Sequence, residues 1–117
     1  MQDFKKLKVW QKAHELALFT YRITANFPKE ELFGLRNTLR KTSVDIPALI
    51  AEGCAKDNNL DFSKTVANAI ALANRMDYYA LVARDLKLLG EVVHNEFEAK
   101  IVEVRKMLSG FSKRLVD

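Results

Sequence analysis

The chain has 117 residues, enough for one domain with its own core and too few for two of ordinary size. Apolar residues make up 49% and charged residues 29%, with four Gly and two Pro, a composition that excludes a disordered or loop-rich chain and points to one helix-rich domain over 1–117. The N-terminal stretch contains no apolar signal-like run, the longest apolar run (Tyr78 to Ala83) is far below a membrane span, and Cys54 is the only cysteine. The expectation is a cytoplasmic protein with no membrane segment, no disulfide and no thiolate zinc site.

The first predicted helix runs from Leu7 to Ala25 and stops at Asn26-Phe27-Pro28. Pro28 suits the first position of a second helix, Glu30 to Gly53, where its missing N–H costs nothing. That helix carries the stripe Leu32, Leu35, Leu39, Ile46, Leu49 and Ile50, which keeps its phase across Pro47, so a kink within one helix is expected rather than two short helices. Gly53 with Lys56-Asp57-Asn58-Asn59 marks the next break, and Asn58 or Asn59 is a suitable N-cap for a third helix, Leu60 to Leu89. Gly90 fits a left-handed position after that helix. The fourth, Glu91 to Leu115, has a clean stripe of Val93, Phe97, Ile101, Val104, Leu108, Phe111 and Leu115. Connections this short bring successive helices back antiparallel, so the fold class expected is all-α, an up-down-up-down four-helix bundle with a kinked second helix.

Helices 1 and 3 are apolar over more than one face. A helix that is apolar all round must be buried all round, which a lone bundle does not provide, so self-association is expected, with Leu72 and Tyr79 as interface positions.

Little in the chain reads as chemistry. Glu91-Val92-Val93-His94 has the E-x-x-H spacing of di-iron bundles, but such sites need two copies and two further Glu. His94 is therefore expected at the surface, with no metal and no cofactor. Glu30 and Glu31 read as first-turn acids facing a helix dipole, and Glu52 as a residue that holds the end of helix 2 through a hydrogen bond or ion pair. There is no phosphate-binding glycine loop, no catalytic constellation, and so no enzyme.

Charge is more informative. Residues 1–41 hold nine Lys or Arg against four acids, whereas residues 42–117 hold ten against eleven. Lys5, Lys6, Lys8 and Lys12 cluster at the start of helix 1, and Arg36 and Arg40 lie one turn apart on helix 2 beside Lys41. The predicted nucleic-acid face is Lys5, Lys8, Lys12, Arg36, Arg40 and Lys41. In a ring of subunits such a patch would be repeated and become multivalent.

Three ordered segments carry a resemblance. Leu7-Lys8-Val9-Trp10-Gln11-Lys12-Ala13, Phe27-Pro28-Lys29-Glu30-Glu31-Leu32-Phe33-Gly34-Leu35 and Ile46-Pro47-Ala48-Leu49-Ile50-Ala51-Glu52-Gly53 resemble the signatures L-x-V-W-x-x-A, F-P-x-x-E-x-x-G-L and I-P-x-N-I-A-E-G. These belong to the four-helix bundle proteins of 23S rRNA intervening sequences, relatives of the accessory variability determinant of diversity-generating retroelements. The resemblance makes Trp10, Pro28, Gly34, Pro47, Glu52 and Gly53 the motif positions. It implies a homopentamer and structured RNA, or a ribonucleoprotein, as partner. The sequence departs from the pattern at Leu49, Leu72 and Arg75, departures that speak against a shared polar site on helices 2 and 3. A non-catalytic RNA-binding oligomer is the leading expectation, and a protein assembly scaffold is the alternative.

Overall fold

The core is assembled from four helices of unequal length. In the computed structural model, which describes residues 2–116, they are α1 (Lys8–Thr24), α2 (Leu35–Cys54), α3 (Asn59–Asp85) and α4 (Glu91–Val116), with 3₁₀ turns at Phe4–Lys6 and Lys29–Glu31. The described residues contain no strand. A helix of the length of α3 or α4 spans about 40 Å, which matches the long dimension of a molecule measuring 44 × 22 × 20 Å.

Each helix packs on two others: α1 on α2, α2 on α3, α3 on α4, and α4 back on α1, while the backbones across the diagonals stay apart. Side-chain pairs give the directions. Phe62 meets Phe111 and Asp77 meets Arg105, so α3 and α4 run opposite ways. Lys12 faces Glu103 and Phe19 faces Phe97, which opposes α1 to α4.

The stripes read from the sequence become the core. From α4, Phe97, Ile101, Val104 and Leu108 are buried, with Val93, Phe111 and Leu115 half-buried at the edge. Leu39, Ile46 and Ile50 of α2 meet Val9, Ala13, Leu16 and Phe19 of α1 in the same cluster. The face that α3 buries is rich in alanine (Ala69, Ala73, Ala80, Ala83), and small side chains let α2 and α4 approach closely on either side. A wide part of α3 is therefore covered within one chain; of its large apolar residues Leu60, Tyr78 and Leu81 remain exposed, together with Ala67 and Ala71.

Four features differ from the sequence reading. First, α2 starts at Leu35 rather than Glu30, because Pro28 opens a 3₁₀ turn and Gly34 takes a non-helical conformation (φ −104°, ψ −119°). The Glu31 carboxylate then accepts the Leu35 N–H at 3.0 Å, which satisfies one orphan donor of the first turn. Second, α2 runs one residue past Gly53, to Cys54, before the expected break, and α3 starts at Asn59, one residue earlier than predicted, with Asn58 as its N-cap accepting the Asp61 N–H at 2.8 Å.

Third, α3 ends at Asp85, and the left-handed residue after it is Lys87 (φ 62°), not Gly90. The Leu88 N–H reaches the Ala83 carbonyl (2.8 Å) and the Lys87 N–H that of Arg84 (2.9 Å), the paired bonds of a Schellman closure. Gly90 instead precedes α4, its carbonyl accepting the His94 N–H at 2.9 Å. Fourth, His94 is not at the surface: it is 1% exposed, and neither ring nitrogen has a hydrogen-bond partner. Pro47 is buried within α2, which passes through it as one helix.

Candidate nucleic-acid interface

The six basic residues singled out above do not form one face. Because α1 and α2 meet with Arg40 beside Tyr21 and Thr24, the Arg36–Lys41 cluster sits at the C-terminal end of α1. Lys5 and Lys8 sit at its other end, and α1's 17 residues place the two groups about 25 Å apart.

Three of the six cations are also engaged. Arg40 donates through Nε to Thr24 Oγ1 (2.8 Å) and through Nη2 to the Tyr21 carbonyl (3.0 Å), and its guanidinium lies 4.5 Å from the centre of the Tyr21 ring. It closes the last turn of α1, whose carbonyls lack partners of their own. Thr24 completes the arrangement by donating its hydroxyl to the Thr20 carbonyl at 2.8 Å. Lys12 lies between Glu15 (3.7 Å) and Glu103 (3.8 Å), and Lys41 pairs with Asp45 at 3.5 Å. Arg36 is half-buried, its Nε enclosed without a partner. Among the described residues only Lys5 and Lys8 of the six are both exposed and outside any ion pair.

At their end of the bundle the structure supplies partners that the sequence reading missed. An open groove of about 650 Å³ runs between the start of α1 and the last turns of α4, lined by Lys6, Leu7, Lys8 and Val9 on one side and Lys106, Met107, Gly110, Phe111 and Arg114 on the other. Among the described residues, four cations and no carboxylate border it. Its walls are mostly apolar, and the Arg114 guanidinium lies 6.0 Å from the Phe111 ring centre. Leu7 precedes α1 without providing a side-chain cap, so the first-turn N–H groups of α1 add their positive partial charge to the same region. Lys106 and Arg114 are about 100 residues from Lys6 and Lys8 in sequence; only the closure of α4 onto α1 brings them together.

Leu72 and Tyr79 are half-buried and pack against the core, whereas Tyr78 next door is 62% exposed. On α1 and α2, Leu18 (47%), Tyr21 (42%) and Val44 (42%) are exposed around a shallow hollow of about 280 Å³ completed by His14, Ala17 and Pro47.

No group of three His, Cys, Asp or Glu residues within metal-binding reach occurs among the described residues, and no helix is long and apolar enough to cross a membrane. Cys54 is buried, and desolvation is the main cause raising its thiol above the usual range, with Asp3 adding to the effect. Glu52 pairs with Lys56 at 3.7 Å across the end of α2.

A family model for the 23S rRNA-intervening sequence protein matches residues 5–110. The chain belongs to that family. A solved structure from Bacteroides thetaiotaomicron, described as a protein of unknown function from the S23 ribosomal protein family, superposes with a TM-score of 0.80 at 19% identity, covering 90% of this chain and 98% of that one. At that identity the likeness speaks for the fold alone. Comparison with curated proteins finds no match.

In this member of the intervening-sequence family, motif residues take part in packing the bundle. Trp10 stacks on His14 (4.9 Å between ring centres, 7° between planes) and takes Phe4 edge-on at 5.0 Å, tying the first 3₁₀ turn to α1. Phe27 is buried, Gly34 sits beside the capping carboxylate of Glu31, and Gly53 lies against Phe62. Leu7, Lys8 and Val9, from the first signature segment, also line the groove between α1 and α4.

Proposed function

We propose that this protein is a cytoplasmic, non-catalytic, self-associating helical bundle that binds structured RNA through phosphate contacts at the end of the bundle where α1 begins. One observation carries the reading: Lys5, Lys6 and Lys8 leave the start of α1 exposed and free of ion pairs, while Arg40, Lys12 and Lys41 are engaged within the fold. Such cations neutralise phosphates without reading bases, so affinity follows RNA shape and falls steeply with salt. The family's name supports RNA as the polyanion, and the homopentamer implied by the resemblance would repeat the basic end once per subunit.

The test is filter binding of a structured rRNA fragment at about 0.1 M salt, a range in which phosphate contacts dominate affinity. Lys5→Glu with Lys8→Glu is expected to abolish binding, and Arg40→Ala to leave it within about twofold. Absence of binding by the parent, or equal sensitivity to both changes, would sink the proposal.

The alternative, an assembly scaffold for protein partners, is favoured by the hollow at Leu18, Tyr21 and Val44. That surface also serves the self-association in the first reading. Light scattering that returns a mass near 13.4 kDa at micromolar concentration would exclude self-association, and Leu18→Glu with Val44→Glu is expected to lower the assembled fraction without loss of helicity.

A further inference from the structure

The groove between α1 and α4 differs from the rest of the basic end. A surface that only tracks a duplex backbone needs cations at phosphate spacing and no apolar recess. Here Leu7, Val9, Met107 and Phe111 give an apolar lining, and Lys6, Lys8, Lys106 and Arg114 stand around it with no acid among the described lining residues. Charge complementarity requires an anionic occupant, and the apolar lining requires one with a flat or apolar part to bury. Unpaired nucleotides meet both demands: the base contributes a face that packs on aromatic and apolar side chains, and the phosphate on either side meets a lysine or arginine. Paired bases are stacked inside the duplex and offer no such face. The groove volume, about 650 Å³, is in the range that encloses a small organic ligand rather than a helix.

We propose that this groove is a single-strand site, which takes one or two unpaired nucleotides adjoining the structured RNA held by the basic end. It rests on the RNA-binding reading above and adds to it the α4 half of the site and a preference for unpaired over fully paired RNA. Arg114, 6.0 Å from the Phe111 ring centre, and Lys106 flank the base pocket, while Lys6, Lys8 and the uncapped first turn of α1 face the backbone.

Gly110 allows a test that does not endanger the fold. It lies inside α4, where glycine is a weak helix former, and a Cβ built there would meet only the far end of Arg114, at 3.7 Å. Gly110→Leu therefore fills the groove while favouring the helix. Fluorescence anisotropy compares the full chain with an RNA hairpin and with the same hairpin carrying a six-nucleotide unpaired extension. The extension is expected to tighten binding about tenfold, which corresponds to about 1.4 kcal/mol. Gly110→Leu is expected to abolish that gain and leave hairpin affinity within about twofold; Lys106→Glu with Arg114→Glu is expected to abolish the gain as well. Equal binding of the two RNAs, or a gain that survives Gly110→Leu, overturns the single-strand site while hairpin binding still upholds the RNA reading. Failure to bind either RNA overturns both. An acidic amphipathic peptide that binds the parent and not Gly110→Leu, with no gain from the RNA extension, would assign the groove to a protein partner and overturn the proposal.

Discussion

The ring of Phe62 lies so close to the backbone of Gly53 that a Cβ built on the glycine would stand 2.4 Å from Cδ1 and 2.6 Å from the hydroxyl of Thr65. The contact sets the spacing of α2 and α3 where the two helices join. Gly53→Ala is expected to destabilise the fold by about 1–3 kcal/mol, the usual range for overpacking a tight contact. Urea denaturation measures this, and Phe62→Leu in the same chain should recover part of the loss, because the two positions share one contact. Additive losses would show that the ring is not the obstacle.

Arg40 offers a second prediction, which separates structural from ligand-binding cations. Arg40→Ala removes two hydrogen bonds and a ring contact at the end of α1. A loss of about 2 kcal/mol is expected for such a partly buried charged group. Arg40→Lys should recover little of it, since an ammonium cannot donate to Thr24 and Tyr21 while stacking on the ring. Thermal unfolding that shows no difference between wild type and Arg40→Ala would contradict this assignment.

Lys87 holds a conformation that side chains with a Cβ disfavour, with φ at 62°. Lys87→Gly is expected to raise stability by about 0.5–1 kcal/mol, because the left-handed penalty exceeds the added freedom of the unfolded glycine. The same change at Gly90 is not available, and Gly90→Ala, where nothing lies within 4 Å of a new Cβ, should be close to neutral. Calorimetric melting of the two variants ranks them directly; a loss of stability on Lys87→Gly would mean that the lysine side chain does more than its backbone suggests.

His94 is enclosed with both nitrogens unpartnered, an arrangement that costs the folded state the hydration of those groups. His94→Leu, close in volume and apolar, is expected to raise stability by about 1–2 kcal/mol. A destabilised variant would point instead to an ordered water bonded to the imidazole.

The amino-acid pattern made the helices legible and the ligand face much less so. The α4 stripe transfers to the core residue by residue, since a helix with charges on its outer side has one way to bury itself. Local stops were harder to read. Glycine and proline were taken as punctuation, yet Lys87 provides the left-handed turn and Gly53 provides proximity, because hydrogen bonds from Leu88 to Ala83 outweigh the preference for glycine. His94 was misplaced because a polar residue at the edge of a stripe is normally solvated, and the burial comes from neighbouring helices. The basic residues were grouped by closeness in sequence, but an intervening helix carries Arg40 away from Lys8, and only the return of α4 brings Lys106 and Arg114 to the site. The one available signal was Lys106, Lys113 and Arg114 in the last turns of α4, which reads equally well as cations answering a helix dipole.

Trp10 is the only tryptophan in the chain, and it is held between Phe4 and His14 at the start of α1. All indole fluorescence therefore originates at one end of the molecule, within one turn of Lys6 and Lys8. The protein carries its own optical probe there: release of the first 3₁₀ turn, which packs on the indole through Phe4, would shift that single emission, while events at the Arg40 end of α1 would leave it unchanged.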